Sequence, residues 1–329
     1  MNAFPIKFYD ITSRPFKEIA GKPQATVYCL GNFDGIHIAH AERIRAGLNI
    51  KARQEEAGSS PLLCGAFVFY KPSWDYFLSD GKELGRNLSS LEEKLDIFSS
   101  LGLDTVALCA FEDIKDMSSE DFLDLLYRDC ECRGIVCGYN YRFGKGASGD
   151  PELIKKHFDG MDDVTVTVIP EIIKNGMSVS SSRIRELIKE GNVSDAALLL
   201  GRYYSLNSEV VHGKALGKTL GFPTANQFFQ ANKLIPKSGV YISRCHTPFG
   251  VYAGVSNIGS RPTVDNTERI NCETHIIGFS EDLYGCRLTV EFICRLRDEQ
   301  KFSDIDALKA AVLRDIDTAR SYFEKNDLI

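Results

Sequence analysis

Near residue 190 the chain changes the rhythm of its predicted elements, and that change constrains the fold more than any other feature. Before it, strand-like and helix-like stretches alternate. Ala25 to Leu30 reads as a strand, Ala39 to about Glu56 as a helix, and Leu62 to Tyr70 as an apolar strand. Ser90-Leu91-Glu92-Glu93 is a capping-box signature that opens a helix ended by Gly102. Thr105 to Phe111, Gly134 to Cys137 and Val164 to Ile169 read as further strands, and Ser119 to Arg128 as a helix. Such alternation predicts a parallel sheet covered by helices, with ligands at the carboxyl ends of its strands. Ser182 to Lys189 and Val193 to Leu200 then read as two short helices joined at Gly191.

After Gly201 the pieces are short and β-rich: Glu209 to Val211, Val240 to Cys245, Val251 to Val255, Cys272 to Ile277 and Leu288 to Leu296. This is an antiparallel all-β pattern. It closes with a long amphipathic helix, about Asp304 to Glu324, carrying Ile305, Leu308, Val312 and Ile316 along one stripe. The fold class expected is α/β plus all-β, with domains at 1–190 and 191–329.

With 329 residues, 43% hydrophobic and 26% charged, the chain can fill two ordinary cores. A net charge of -6 argues against a broad phosphate-backbone footprint, so nucleic acid is not expected as a partner. No basic segment leads into an apolar one at the start, and no apolar run reaches bilayer length. A cytoplasmic location without a membrane partner is therefore expected. Ten cysteines are scattered through apparent strands and are expected to be reduced and buried. Cys130, Cys132 and Cys137 cluster, but their spacing matches no standard zinc pattern.

The run Gly31-Asn32-Phe33-Asp34-Gly35-Ile36-His37-Ile38-Ala39-His40 sets two histidines three residues apart between a predicted strand and a predicted helix. Residues i and i+3 share a helix face, so both imidazoles are expected at the first helical turn, where free N–H groups and the dipole attract phosphate. The competing reading is that they cap the helix or fill a gap. Ser180-Ser181-Ser182-Arg183-Ile184-Arg185 places hydroxyls at a helix start with Arg185 one turn on, a grip for polyphosphate or an ordinary N-cap. Gly138 to Asp150, which contains Asn140, is a glycine-rich, aromatic and basic loop after a strand.

Together these pieces resemble the nucleotidylyltransferase superfamily, whose signature is His-x-Gly-His. The longer match resembles the FMN adenylyltransferase module of bacterial bifunctional riboflavin kinase/FMN adenylyltransferases. The resemblance implies a Rossmann-like nucleotidylyltransferase domain in which the FMN phosphate attacks the α-phosphorus of ATP and expels pyrophosphate. It assigns His37 and His40 to the phosphates, Ser181 and Arg185 to the leaving polyphosphate, and Asn140 to a substrate. Gly31, Asn32, Phe33 and Asp34 would border ATP or flavin. Three departures stand out: Ala39 replaces the signature glycine, Phe69-Tyr70-Lys71-Pro72-Ser73 lacks the frequent Pro-His-Pro, and Asn140 replaces the commoner aspartate. The Ala39 methyl is expected to crowd adenine or ribose.

In the second half, Gly213-Lys214-Ala215-Leu216-Gly217-Lys218-Thr219 imitates a P-loop but has three residues between its glycines where that motif needs four. No helix is expected at Lys218, so the P-loop reading is rejected. The run from Val210 to Gly221-Phe222-Pro223-Thr224-Ala225-Asn226 resembles the riboflavin kinase module instead. Gly239-Val240-Tyr241, Asn257 to Thr263, Glu273-Thr274-His275, Leu283-Tyr284-Gly285 and Leu296 to Phe302 follow in the family's order. This resemblance implies a small antiparallel β-barrel with a C-terminal helix. It assigns Thr224 and Asn226 to Mg²⁺, Glu273 to the riboflavin 5′-hydroxyl proton, and Gly217, Lys218 and Arg297 to ATP or flavin. Without its neighbours, Glu273 reads as an exposed strand residue. Asn207-Ser208-Glu209 stands where the family commonly has a glycine, so an altered turn is expected there.

The expected protein is a two-module enzyme that phosphorylates riboflavin and adenylylates FMN to FAD, with ATP and Mg²⁺ in both steps and small molecules as partners. The alternatives are a riboflavin kinase with an impaired first domain and a non-catalytic flavin-binding or sensing protein.

Overall fold

Alternation within each strand of the first half sends its side chains to two different cores. In the computed structural model, which describes residues 6–13, 15–19, 23–58, 60–70, 87–213, 221–230, 232–262 and 268–328, the sheet of the first unit contains β1 (Ile6–Asp10), β2 (Lys17–Glu18), β3 (Thr26–Leu30), β4 (Leu63–Phe69), β5 (Thr105–Cys109), β6 (Cys132–Gly138) and β7 (Thr165–Ile169). Tyr28, Leu30, Phe67 and Ile135 join one core, while Val27, Cys29, Ala66 and Val136 join the other. Every residue of β3 and β5 is buried, as expected of strands covered on both faces.

The order is β2-β1-β5-β4-β3-β6-β7. Strands β3 to β7 pair in parallel, and β1 and β2 add an antiparallel edge that hydropathy did not reveal. From β3 the chain steps to β4 and β5 on one side, then returns to place β6 and β7 on the other. This reversal is a topological switch point, and a crevice opens beyond the carboxyl ends of β3 and β6. The helices are α1 (Ile38–Glu56), α2 (Leu91–Ser100), α3 (Phe111–Ile114), α4 (Ser119–Asp124) and α5 (Pro151–His157). The expected capping box is present, with Glu93 N donating to Ser90 Oγ at 3.1 Å and Ser90 N to Glu93 Oε2 at 2.7 Å. The helix expected through Arg128 widens after Asp124 into a π turn over Leu125–Asp129.

A short hairpin, β8 (Ile173–Lys174) and β9 (Met177–Ser178), leads to α6 (Ser181–Glu190) and α7 (Val193–Leu200). Six strands follow: β10 (Tyr204–Glu209), β11 (Ala225–Phe228), β12 (Gly239–Thr247), β13 (Gly250–Pro262), β14 (Glu268–Ile276) and β15 (Arg287–Arg297). All their pairings are antiparallel, in the order β10-β15-β12-β13-β14-β11. Val211 N donates to Asn226 O at 2.8 Å and bridges the two ends of that order, so the sheet is a nearly closed barrel. Fully buried Gln227 fastens the seam from inside, its Nε2 donating to Ser208 O at 2.8 Å and Leu288 O at 2.7 Å. Asn207, Ser208 and Glu209 lie in β10 opposite Thr289, Leu288 and Arg287, so no turn occurs there. Alternating polar residues hid this strand, because only one of its faces is apolar.

Helix α8 (Ile305–Asn326) is capped by Asp304, whose carboxylate accepts from Ala307 N at 2.8 Å. Its Ile316, Ala319 and Phe323 pack on Val240, Ile242 and Val255. Ile305, expected on the apolar stripe, is 63% exposed because the first helical turn runs past that core.

All ten cysteines are free thiols, eight of them buried. Burial pushes the Cys132 thiol up to about 12. The described chain divides into two compact units, one holding the described residues up to Tyr70 and those from Ser89 to Ser181, the other those from Ser182 onward together with Asn87 and Leu88.

Candidate functional site

The first unit builds its site at the switch point. After β3 the backbone takes left-handed conformations at Phe33 (φ 47°), Gly35 (φ 79°) and Ile36 (φ 38°). For a β-branched residue such as Ile36 this is a strained geometry, maintained only when the surroundings impose it. The surroundings are specific: Phe33 and Ile36 are buried, Ser89 N donates to Asp34 Oδ1 at 3.4 Å, and Gly35 N donates to Ser89 Oγ at 3.1 Å. Lys94 Nζ reaches the Asn32 carbonyl at 3.4 Å.

This loop delivers His37 as the residue before α1 and His40 in its first turn. Their rings stack with centroids 3.7 Å apart, and Phe33 lies 4.9 Å from the His40 ring. The His37 side chain makes no capping hydrogen bond, so capping does not explain it. Ala39, between them, is buried. Ser181, the first residue of α6, donates its hydroxyl to the Asp34 carbonyl at 2.8 Å and so joins the histidine loop. Arg185 follows one turn later on α6.

Beside this loop lies a cavity of about 480 Å³ bordered by Gly31 and Asn32. Its walls are aromatic: Phe67, Phe69, Phe111, Phe122, Tyr141 and Phe143. Edge-on contacts of 5.5 Å for Phe67 with Phe122 and 5.4 Å for Phe69 with Phe111 hold the rings upright. Tyr141 stacks on Phe143 at 5.6 Å, and burial raises its phenol pKa well above the ordinary value. Lys115 and Lys145 stand at the lining with Asp116. Asn140 is exposed in the turn after β6 and does not line the cavity.

The second unit holds a cavity of about 400 Å³ lined by Thr224, Glu273 and Arg297 together with Phe222, Asn257 and Asp315. Asn226 in β11 lies directly opposite Glu273 in β14, and Thr224 stands two residues before it, so strand periodicity puts all three on one face. Asn226 is nonetheless buried beside the cavity rather than lining it, its Nδ2 pointing at the Thr224 carbonyl at 3.3 Å. Gly213 packs on that amide, since a Cβ there would stand 2.5 Å from Nδ2. Asn271 Nδ2 donates to Glu273 Oε1 at 3.0 Å and steadies the carboxylate. Arg297 is pinned from the other side by Asp315 of α8, with Nε 3.1 Å from both carboxylate oxygens and Nη2 2.7 Å from Oδ2. The predicted Gly217 and Lys218 lie outside the described residues, as do Lys71-Pro72-Ser73 and Thr263.

Residues 19–183 match the family described as FAD synthetase, and residues 200–323 match the riboflavin kinase family. The chain is 33% identical over 320 residues to the bifunctional riboflavin kinase/FMN adenylyltransferase of Escherichia coli K12, covering 94% of this chain and 97% of that protein. It is a member of the bifunctional riboflavin kinase/FMN adenylyltransferase family. The Bacillus subtilis member is 29% identical, with 94% and 96% covered. A crystal structure from Streptococcus pneumoniae, described as a macrolide-efflux protein, shares the fold with a TM-score of 0.80 and 29% identity, over 91% of this chain and 95% of that one. Among the described residues of this family member, no helix is long and apolar enough to cross a membrane.

Sequence reasoning missed most of the aromatic cavity and the Asp315 contact. Phe67 and Phe69 repeat at period two and so share a sheet face, which was readable. Asp315 lies on the buried side of α8 with Ala311, Ala319 and Phe323, a carboxylate on an apolar stripe that signals a cationic partner.

Proposed function

We propose that this family member phosphorylates riboflavin to FMN and then adenylylates FMN to FAD, each unit performing one step with ATP. The observation that carries the reading is the presence of one motif-lined cavity in each unit: the aromatic one beside His37 and His40, and the one walled by Thr224 and Glu273. The assignment of residues 1–190 to the adenylyl step and 191–329 to the kinase step is supported by the two matched segments.

In the kinase step Glu273 takes the proton of the riboflavin 5′-hydroxyl as that oxygen attacks the γ-phosphorus and ADP leaves. Its place on a cavity wall, oriented by Asn271, suits a general base. Thr224 and Asn226 would hold Mg²⁺; they offer only oxygen donors, which fits a hard ion that keeps phosphate and water as its remaining ligands. Bound there, the ion neutralises phosphate charge. Arg297, already oriented by Asp315, binds flavin or nucleotide, and the resemblance to the riboflavin kinase module assigns Gly217 and Lys218 to ATP or flavin as well.

In the adenylyl step an FMN phosphate oxygen attacks the α-phosphorus of ATP in line, and pyrophosphate leaves. His37 and His40 hold the phosphates at the start of α1, while Ser181 and Arg185 receive the leaving group. The aromatic cavity seats the flavin ring, with Gly31 and Asn32 at its border and Phe33 and Asp34 shaping the loop behind them, while Asn140, exposed outside that cavity, meets a substrate from the turn after β6.

Incubation with riboflavin, ATP and Mg²⁺ followed by chromatography of the flavins tests the reading. FMN and then FAD are expected; FMN that never converts removes the second step, and flavin binding without ATP turnover removes both.

A further inference from the structure

Arg43 lies three residues beyond His40 on α1, so His37, His40 and Arg43 run along one helical face. Its guanidinium lies across the carboxyl ends of β3 and β6. A Cβ on Gly31 would stand 2.9 Å from Nη1, and one on Gly138 would overlap Nη2 and stand 2.7 Å from Cζ. Glycine at both strand ends is what leaves the planar fork its place.

Among the described residues Arg43 has no carboxylate partner, and its Nε is buried without a hydrogen bond. The groups that face it are Cys29, Cys137, Tyr139 and Tyr141, none of them an anion at neutral pH, and burial holds its pKa below the ordinary guanidinium value. A half-buried cation without a counter-ion, its Nε shut off from solvent, is unfavourable in the free protein and becomes favourable when an anion arrives. This cation sits at the switch-point crevice, beside the N-terminus of the helix that carries the histidine pair, where the field already attracts negative charge.

We propose that Arg43 is a further substrate-binding residue of the adenylyl-transfer site, gripping the phosphate chain of a nucleoside triphosphate. The proposal rests on the adenylyltransferase reading above. The competing role is a spacer that merely packs α1 on the sheet, and a spacer does not need a charge.

The test uses the full chain with Arg43→Met, Arg43→Lys and Gly138→Ala, the last of which displaces the guanidinium and keeps it in the protein. KM for ATP is measured in FAD formation from added FMN, and separately in riboflavin phosphorylation as an internal control. Arg43→Met is expected to raise the first KM about tenfold or more, the loss of a charge-assisted hydrogen bond. Arg43→Lys should recover part of it, Gly138→Ala should imitate the loss, and the kinase KM should not move. A first KM for Arg43→Met within twofold of wild type, or equal effects of Met and Lys, overturns the proposal. Where Arg43→Met does not fold, Arg43→Lys and Gly138→Ala decide: unchanged KM in both overturns it. Wild-type protein that makes no FAD would instead defeat the adenylyltransferase reading itself.

Discussion

The Ser181 hydroxyl donates a 2.8 Å hydrogen bond to the carbonyl oxygen of Asp34, 147 residues earlier in the chain. It ties the start of α6 to the strained loop that presents His37 and His40. A donor spent on a carbonyl leaves the hydroxyl lone pairs and the adjoining helix N–H groups for a ligand, so the bond gives Ser181 a part in shaping the loop beside the phosphate role proposed for it. Ser181→Ala is expected to lower kcat/KM for FAD formation about tenfold while removing about 1 kcal/mol of stability. Steady-state kinetics with added FMN and urea unfolding check both; an unchanged adenylyl rate would show that the bond does not position the loop.

Glu273→Gln keeps the amide-to-side-chain contact with Asn271 sterically intact but removes the base. FMN formation should fall by about 10²–10⁴-fold, while FAD made from added FMN should persist. Equal loss of both activities would contradict independent sites. His37→Ala should give the opposite pattern in the same two assays.

Asp315 and Arg297 are 11% and 22% exposed at their side chains. Asp315→Ala would leave the guanidinium without its carboxylate at a cavity wall, and about 2 kcal/mol of unfolding free energy should be lost. Riboflavin phosphorylation should weaken, with FAD formation from FMN spared. Urea titration and the two assays read these effects, and a variant as stable as wild type would show that the pair is energetically neutral.

Burial raises the thiols of Cys132 and Cys245 to about 12 from an ordinary 9.0. The folded chain therefore keeps these protons where the unfolded chain gives them up. Their contribution to stability is fully present below about pH 9 and is lost as pH rises from there toward 12. Unfolding measured at pH 7.5 and pH 10 should show lower stability at the higher value. Native protein at pH 8 should also react slowly with a thiol reagent at these positions, and rapid modification would contradict their burial.

Ala39→Gly should speed FAD formation if the methyl crowds the nucleotide, at a helix-propensity cost of up to about 1 kcal/mol. The adenylyl rate at saturating FMN checks this, and an unchanged rate would mean that the site accommodates the methyl.

Much of this was readable before any coordinates. Periodicity distinguished a helix-covered parallel sheet from an antiparallel barrel, because both patterns are set by the direction in which successive side chains point. The spacing of His37 and His40 marked a candidate phosphate site at a helix start, whereas Thr224, Asn226 and Glu273 stood out only through the resemblance to the riboflavin kinase module. The edge strands β1 and β2 were not readable, and the strand expected at Glu209 to Val211 lies earlier, at Tyr204–Glu209, since pairing partners rather than hydropathy make these segments strands.

Local sequence thus determined most of the element types and named the candidate site residues. Tertiary structure decided which groups meet: strand order put β3 beside β6, which brought the Gly31 and Gly138 ends together around Arg43. It brought Ser181 to Asp34, Asn226 to Glu273 and Asp315 to Arg297 in the same way. Contacts between residues far apart in sequence depend on the order and register of whole strands and on how helices pack over them, and no local pattern encodes that order.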